Sequence, residues 1–203
     1  MDNNGICRTI PRMNVTAMIF DLDGTITQSY FDFDMIRKEM GGIEGPILEA
    51  IEKMPIEKQH ELNAVLDRYE LDAAKNATLN PNVDQLLTFL ETRKIKTGLL
   101  TRNTADNTAF VCKKFGLHFD AIVTRDDEGP VKPDPFGYLL CCKQLGVDPG
   151  ETVMVGDYKF DLQAGKAAGA QTILITTNKD YSRYQHLADN VIDDLGDIMD
   201  TIT

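Results

Sequence analysis

Five short apolar runs, each separated from the next by segments with helical periodicity, constrain this chain more than any other feature. Residues 15–20 (VTAMIF), 97–101 (TGLLT), 121–124 (AIVT), 152–156 (TVMVG) and 171–175 (QTILI) are rich in Val, Ile and Leu and do not alternate strictly with polar residues. Strands covered on both faces have this composition, because neither side meets water. Helices are predicted over about 81–93, 104–115, 134–145 and 160–168. In the first of these, Val83, Leu86, Leu87 and Leu90 share a face, with Asn80-Pro81 expected as N-cap and first helical residue. Gly116, Gly146 and Gly169 are the expected stops of the other three. Strand and helix in repetition imply parallel strands with right-handed crossovers. The expected class is α/β: a Rossmann-like three-layer core with a central parallel sheet.

Residues 28–79 break the rhythm. They hold no convincing strand, and helical segments are predicted at about 32–40, 46–53 and 56–76, punctuated by Gly41-Gly42 and Gly45-Pro46. In the last segment Leu62, Val65, Leu66 and Tyr69 recur at helical spacing. The expected organisation is a core made of residues 1–27 and 80–203, with residues 28–79 as a small all-helical insertion. Because the insertion begins just after the first strand, it is expected to lie over that strand's carboxyl end.

Composition narrows the partners. A chain of 203 residues that is 42% apolar and 26% charged is expected to be globular, with one sizeable core and room for a small satellite. A net charge of -11 argues against nucleic acid, which demands Lys and Arg to neutralise phosphates. Small anionic substrates stay open, since a pocket can be basic on an acidic surface. No apolar run approaches the roughly 18 residues of a membrane span. The first residues, read as a lead-in to the first strand, lack the apolar core of a signal peptide. The expectation is a cytoplasmic monomer or homodimer without membrane contact. Cys7, Cys112, Cys141 and Cys142 show no metal-ligand spacing and are expected as reduced, partly buried thiols. The scattered His60, His118 and His186 likewise suggest no site.

In a parallel α/β sheet, sites form outside the carboxyl ends of the strands. The first strand ends in Asp21, Asp23 and Thr25, and the second in Thr101-Arg102-Asn103. The loop after the third carries Lys132; the fourth ends in Gly156-Asp157, with Asp161 four residues on. Singly, each has an ordinary explanation: a turn former, a helix cap, a solvated lysine. Their convergence on one rim is not explained that way. Clustered carboxylates call for a cation, and hard oxygen ligands beside a phosphate favour Mg²⁺. On a regular strand Asp21 and Asp23 would share a face. One could be the nucleophile while the other handles a proton. Lys132 and the Thr101 hydroxyl would hold the oxygens of a phosphoryl group.

The four segments DLDGT (21–25), LLTRN (99–103), VKPDP (131–135) and GDYKFD (156–161) resemble, in order, the four motifs of the haloacid dehalogenase superfamily. The likeness runs from about residue 15 to 178, and the helical insertion resembles a C1 cap of the phosphoglycolate phosphatase-like subfamily IA. The resemblance implies Asp21 as nucleophile and Asp23 as general acid/base. It implies Mg²⁺ held by Asp21, the Asp23 carbonyl and Asp157, with Asp161 in support, and phosphate bound by Thr101 and Lys132. Arg102 and Asn103, beside Thr101, join this phosphate-binding group. Gly24 would allow close backbone approach, Gly156 would support the metal loop, and Thr25 would brace the turn. Asp23 separates this chain from the dehalogenases, which lack an acid at that place, and an ester's leaving alcohol must be protonated. The implied activity is hydrolysis of a small phosphorylated metabolite through an aspartyl-phosphate. A phosphomutase of the same fold, or a non-catalytic metabolite-binding protein, stays open. Arg102 is either a contact to a second anionic group of the substrate or an ion-paired arginine. Tyr30, Phe31 and Phe33 are expected at the seam between insertion and core, and Arg37, Lys38 and Arg68 chiefly toward solvent.

Overall fold

Every strand of the sheet is parallel, and the first lies in its middle. The computed structural model describes residues 13–30 and 32–202, which leaves the expected lead-in, Cys7 and Phe31 outside it. The strands are β1 (Ala17–Phe20), β2 (Lys96–Leu100), β3 (Ala121–Val123), β4 (Thr152–Gly156), β5 (Gln171–Ile175) and β6 (Asn190–Ile192). Their order is β3-β2-β1-β4-β5-β6. Phe20 pairs in register with Leu99 on one side and Val155 on the other, so β1, β2 and β4 finish level. The helices are α1 (Phe33–Glu39), α2 (Ile47–Glu52), α3 (Ile56–Asn76), α4 (Val83–Thr92), α5 (Ala105–Phe115), α6 (Phe136–Leu145) and α7 (Lys159–Ala167).

The pleat sorts the core into two layers. Met18 and Phe20 face α4 and α5, packing with Val83, Leu86, Leu90 and Val111. Ala17 and Ile19 face the opposite way, onto Tyr138, Cys141 and Leu145 of α6. This is the expected three-layer, Rossmann-like α/β fold. Cys112, Cys141 and Cys142 are buried free thiols within it. No helix among the described residues is long and apolar enough to cross a membrane.

Two details depart from expectation. The helix predicted to start at Asn80-Pro81 begins at Val83 instead. Asn82 is its cap, in the left-handed region at φ 62°, and its amide reaches Asp194 Oδ1 at 2.6 Å. Asn80 is drawn elsewhere by three carbonyls. Beyond β5 the chain also adds an unpredicted edge strand, β6, and a 3₁₀ segment, Leu195–Asp200, that returns Leu195 and Ile198 to the α4 layer.

Helices α1 to α3 surround an apolar cluster of their own, built from Ile36, Met40, Ile43, Ile47, Ile51, Leu62 and Leu66. The carboxyl half of α3 leaves that cluster, and Ala74, with Ala77 just beyond its end, joins the main core. Lys114 of α5 closes this end, donating 2.8 Å hydrogen bonds to the carbonyls of Lys75 and Ala77. Such carbonyls have no partner inside a helix, and a cation suits the negative end of its dipole. The chain enters and leaves the helices through a short antiparallel contact, in which Thr27 bridges Leu79, Gln28 N–H donates to Thr78 and Asn80 N–H to Ile26.

Close packing at the sheet yields a test. A methyl on Gly98 of β2 would stand 2.6 Å from Cys141 Sγ and 3.1 Å from Ile19 Cγ1. Overpacking of this kind costs about 1–3 kcal/mol. Gly98→Ala should therefore lower the urea midpoint without changing the slope of the transition.

Candidate active site

The chain leaves regular strand geometry after Phe20, so Asp21 and Asp23 do not share a strand face as expected. They take different partners. Asp21 is 8% exposed, and its Oδ1 lies 2.5 Å from Lys132 Nζ. Asp23, partly exposed, accepts a 3.2 Å hydrogen bond at Oδ2 from the Asn103 amide. Lys132 is itself buried and donates to Asp161 Oδ1 and the Leu100 carbonyl, each at 2.7 Å. One ammonium thus ties the ends of β1 and β2 to the start of α7.

Asp157 ends the set. A methyl on Gly24, whose φ is +92°, would stand 2.4 Å from Asp157 Oδ2, so the turn after Asp23 lies directly against this carboxylate. Gly156 is equally constrained, since a methyl there would meet the Asp161 side chain at 2.3 Å. Asp161 is not the cap of α7; from inside the helix its Oδ2 accepts the Tyr158 N–H at 3.0 Å. Asp21, Asp157 and Asp161 each present an oxygen within 4.8 Å of the others.

Charge is under-compensated here. Burial foremost, then the Asp161 and Asp23 carboxylates, push the Asp21 carboxyl up to about 7 against the pull of Lys132. Burial, Asp21 and Asp161 hold Asp157 well above the usual carboxylate range. Burial also raises Asp23, opposed by the Asn103 hydrogen bond and Lys132. For Lys132, burial would lower the ammonium, but its two carboxylates outweigh that and raise it. Hard oxygen donors crowded without enough positive charge fit a divalent cation. Asp161 has both oxygens engaged, by Lys132 and by Tyr158 N–H. Among the described residues the Asp157 carboxylate accepts a single 3.4 Å contact, from Asn178 on its Oδ2, so Asp21 and Asp157 keep the most capacity for a metal.

The remaining predicted residues are close by. Thr101 is buried, and its hydroxyl accepts the Asn103 N–H at 3.0 Å. Asn103 lies against Asp23 and also receives Thr104 N–H and the Asn107 amide on its Oδ1. Thr25 is fully buried with no hydrogen bond from its hydroxyl; Thr27 instead donates to the Leu22 carbonyl. Arg102 pairs with Glu49 of α2 at 2.7 Å. Arg37 pairs with Asp34 and Arg68 with Glu39, away from the cluster. Tyr30 is half exposed and bonds Asp72; Phe33 is also half exposed.

Sequence reasoning missed the residues that hold the site from outside the motifs. The Asn80 amide donates to the carbonyls of Gly24, Thr25 and Thr27 at 3.2, 2.8 and 3.2 Å. Thr177 adds a 2.5 Å hydrogen bond to Gly24 O. At the seam, Arg125, just past β3, pairs with Glu70 and Asp67 of α3. A buried asparagine, or an arginine after a strand, carries no sequence signature of such roles.

The site is a buried acidic cluster at the carboxyl end of a parallel sheet, and the comparisons give its family. Residues 31–175 match the model of the haloacid dehalogenase-like hydrolases, and the chain belongs to that family. It is 31% identical, over 82% of its length and 73% of the relative's, to a haloacid dehalogenase-like hydrolase domain-containing protein of Arabidopsis thaliana. It is also 31% identical to the putative pyrophosphatase PpaX of Clostridium perfringens, covering 78% of this chain and 82% of that protein. Among solved structures, a hydrolase from Pseudomonas syringae superposes with a TM-score of 0.79 at 23% identity, over 91% of this chain and 96% of the other.

The seam supplies a pH test. Glu70 Oε1 is 2.5 Å from Arg125, while Oε2 is buried without a partner. Burial, reinforced by Asp23 and Asp67 and opposed by Arg125, moves its carboxyl from 4.5 up to about 7. The folded state therefore holds this proton more tightly than the unfolded chain. The group's contribution is complete below pH 4.5 and lost as pH rises through about 7. Glu70→Gln keeps the neutral form at every pH. Its stability advantage over the parent, measured by urea unfolding, should grow from pH 5 to pH 8; a constant difference would contradict the assignment.

Proposed function

We propose that this chain is a Mg²⁺-dependent phosphatase acting on a small phosphorylated metabolite, with Asp21 as nucleophile and Asp23 as general acid/base. The observation that carries this is the division of partners between the two aspartates. Asp21 is buried and aligned by an ammonium, whereas Asp23 is partly exposed and held by a neutral amide. That difference supports attack by the first and proton donation by the second.

In this scheme Asp21 Oδ attacks phosphorus, the bond to the leaving oxygen breaks, and Asp23 gives that oxygen its proton. Water then attacks the aspartyl-phosphate, returns a proton to Asp23 and frees inorganic phosphate. Lys132 orients Asp21 and, with Thr101, receives the non-transferring oxygens. Asp21, Asp157 and the Asp23 carbonyl would hold Mg²⁺, which when bound neutralises the carboxylates and the charge of the phosphoryl group. Residues 28–79, joined to residues 1–27 and 80–203 by the Thr27–Leu79 contact, would act as a cap that excludes water from the site. The relationship to proteins named as pyrophosphatases supports phosphoryl chemistry.

Release of phosphate from a panel of phosphorylated metabolites tests the scheme. Asp21→Asn should abolish turnover, and Asp23→Asn should lower kcat by about 10²–10⁴-fold. Chelation should stop the reaction and added Mg²⁺ restore it. Turnover that survives in Asp21→Asn, or accumulates a phosphorylated isomer in place of free phosphate, would refute it.

A further inference from the structure

The strands β2 and β4 flank β1, and side chains from their two loops meet across its end. Arg102, between Thr101 and Asn103, places its guanidinium 4.9 Å from the centroid of the Phe160 ring. Phe160 lies between Asp157 and Asp161, so this contact spans the carboxyl end of β1, where Asp21 stands. Lys159 Nζ is 5.3 Å from the same ring. Lys159 has no ion-pair partner among the described residues, and Arg102 has one, Glu49, which reaches down from α2. Two cations thus lie against one aromatic ring beside the loops that carry Thr101, Asp157 and Asp161, with a single carboxylate paired to them, in a chain of net charge -11.

We infer that Arg102 and Lys159 are specificity-determining residues that bind a second anionic group, carboxylate or phosphate, on the part of the substrate away from the transferred phosphoryl group. The inference rests on the phosphatase reading and names its substrate class. Phe160 holds the guanidinium by cation–π contact, and the planar donor edge of Arg102, now paired with Glu49, is suited to take a carboxylate or phosphate in the bidentate manner. Glu49 already shows that a carboxylate fits there. At 20% and 31% side-chain exposure, Arg102 and Glu49 form a pair that a stronger anion can open from the solvent side. A simple latch between helices and core would need Arg102 and Glu49 but not a second, unpaired cation at the same ring.

Steady-state kinetics on 2-phosphoglycolate, pyrophosphate and p-nitrophenyl phosphate test this, the first two carrying the second charge as carboxylate and as phosphate. In Arg102→Gln the loss of kcat/KM on at least one doubly anionic substrate should exceed the loss on p-nitrophenyl phosphate by about 30-fold, mainly through KM. Lys159→Met should show the same selectivity at about 3–10-fold. Glu49→Gln, which removes the competing carboxylate, should lower KM for the preferred substrate. The arm that responds identifies the anion. Equal losses on all three substrates in Arg102→Gln would make the residue a latch and overturn the inference.

Binding separates this from the catalytic proposal. By calorimetry with Mg²⁺ present, phosphonoacetate or methylenediphosphonate should bind the parent protein about tenfold tighter than methylphosphonate, and Arg102→Gln should erase that difference. Discrimination without turnover would sink the phosphatase reading and sustain the anion site. Turnover without discrimination would do the reverse.

Discussion

Lys132 Nζ stands among three acceptors, the Asp21 carboxylate and the Leu100 carbonyl at the ends of β1 and β2 and the Asp161 carboxylate in the first turn of α7. Burying that many charges is unfavourable unless each finds a partner, and among the described residues Lys132 is the basic group that pairs within the cluster. Everything near it is arranged to bring the carboxylates within its reach. The level ends of β1, β2 and β4 align the loops, Gly24 lets the first turn lie flat against Asp157, and Gly156 makes room for Asp161. What Lys132 leaves uncompensated, a divalent cation is suited to complete.

The strands and the rim residues were legible because both obey short-range rules. Buried parallel strands must be apolar on both faces, and the five runs read this way are five of the six strands. The sixth, Asn190–Ile192, is three residues long, lies at the sheet edge and sits between acidic neighbours, so burial left little mark on its composition. Gly116 and Gly146 end α5 and α6 in left-handed conformations, as helix stops of this kind do. The start of α4 was misplaced because Asn80 resembles a helix cap locally but is occupied by carbonyls more than fifty residues away in sequence. The convergence of DLDGT, Lys132 and GDYKFD followed from topology, since parallel strands deliver their carboxyl ends to one side. The partition of partners between Asp21 and Asp23 did not, because it depends on where the chain leaves the strand. Nor could spacing reveal which helical residues face the core: Glu49 and Glu70 look like ordinary acids on amphipathic helices, yet they meet Arg102 and Arg125 across the seam.

The contact of Thr27 with Leu79, secured by Asn80, sets the two ends of the helical segment side by side. The apolar cluster from Ile36 to Leu66 packs apart from the main core, so changes within it need not move any strand. The far end of α3 has no such freedom, because Ala74 and Ala77 lie in the main core and Glu70 and Asp67 are held by Arg125. Variation is thus cheap at one end of the helices and costly at the other.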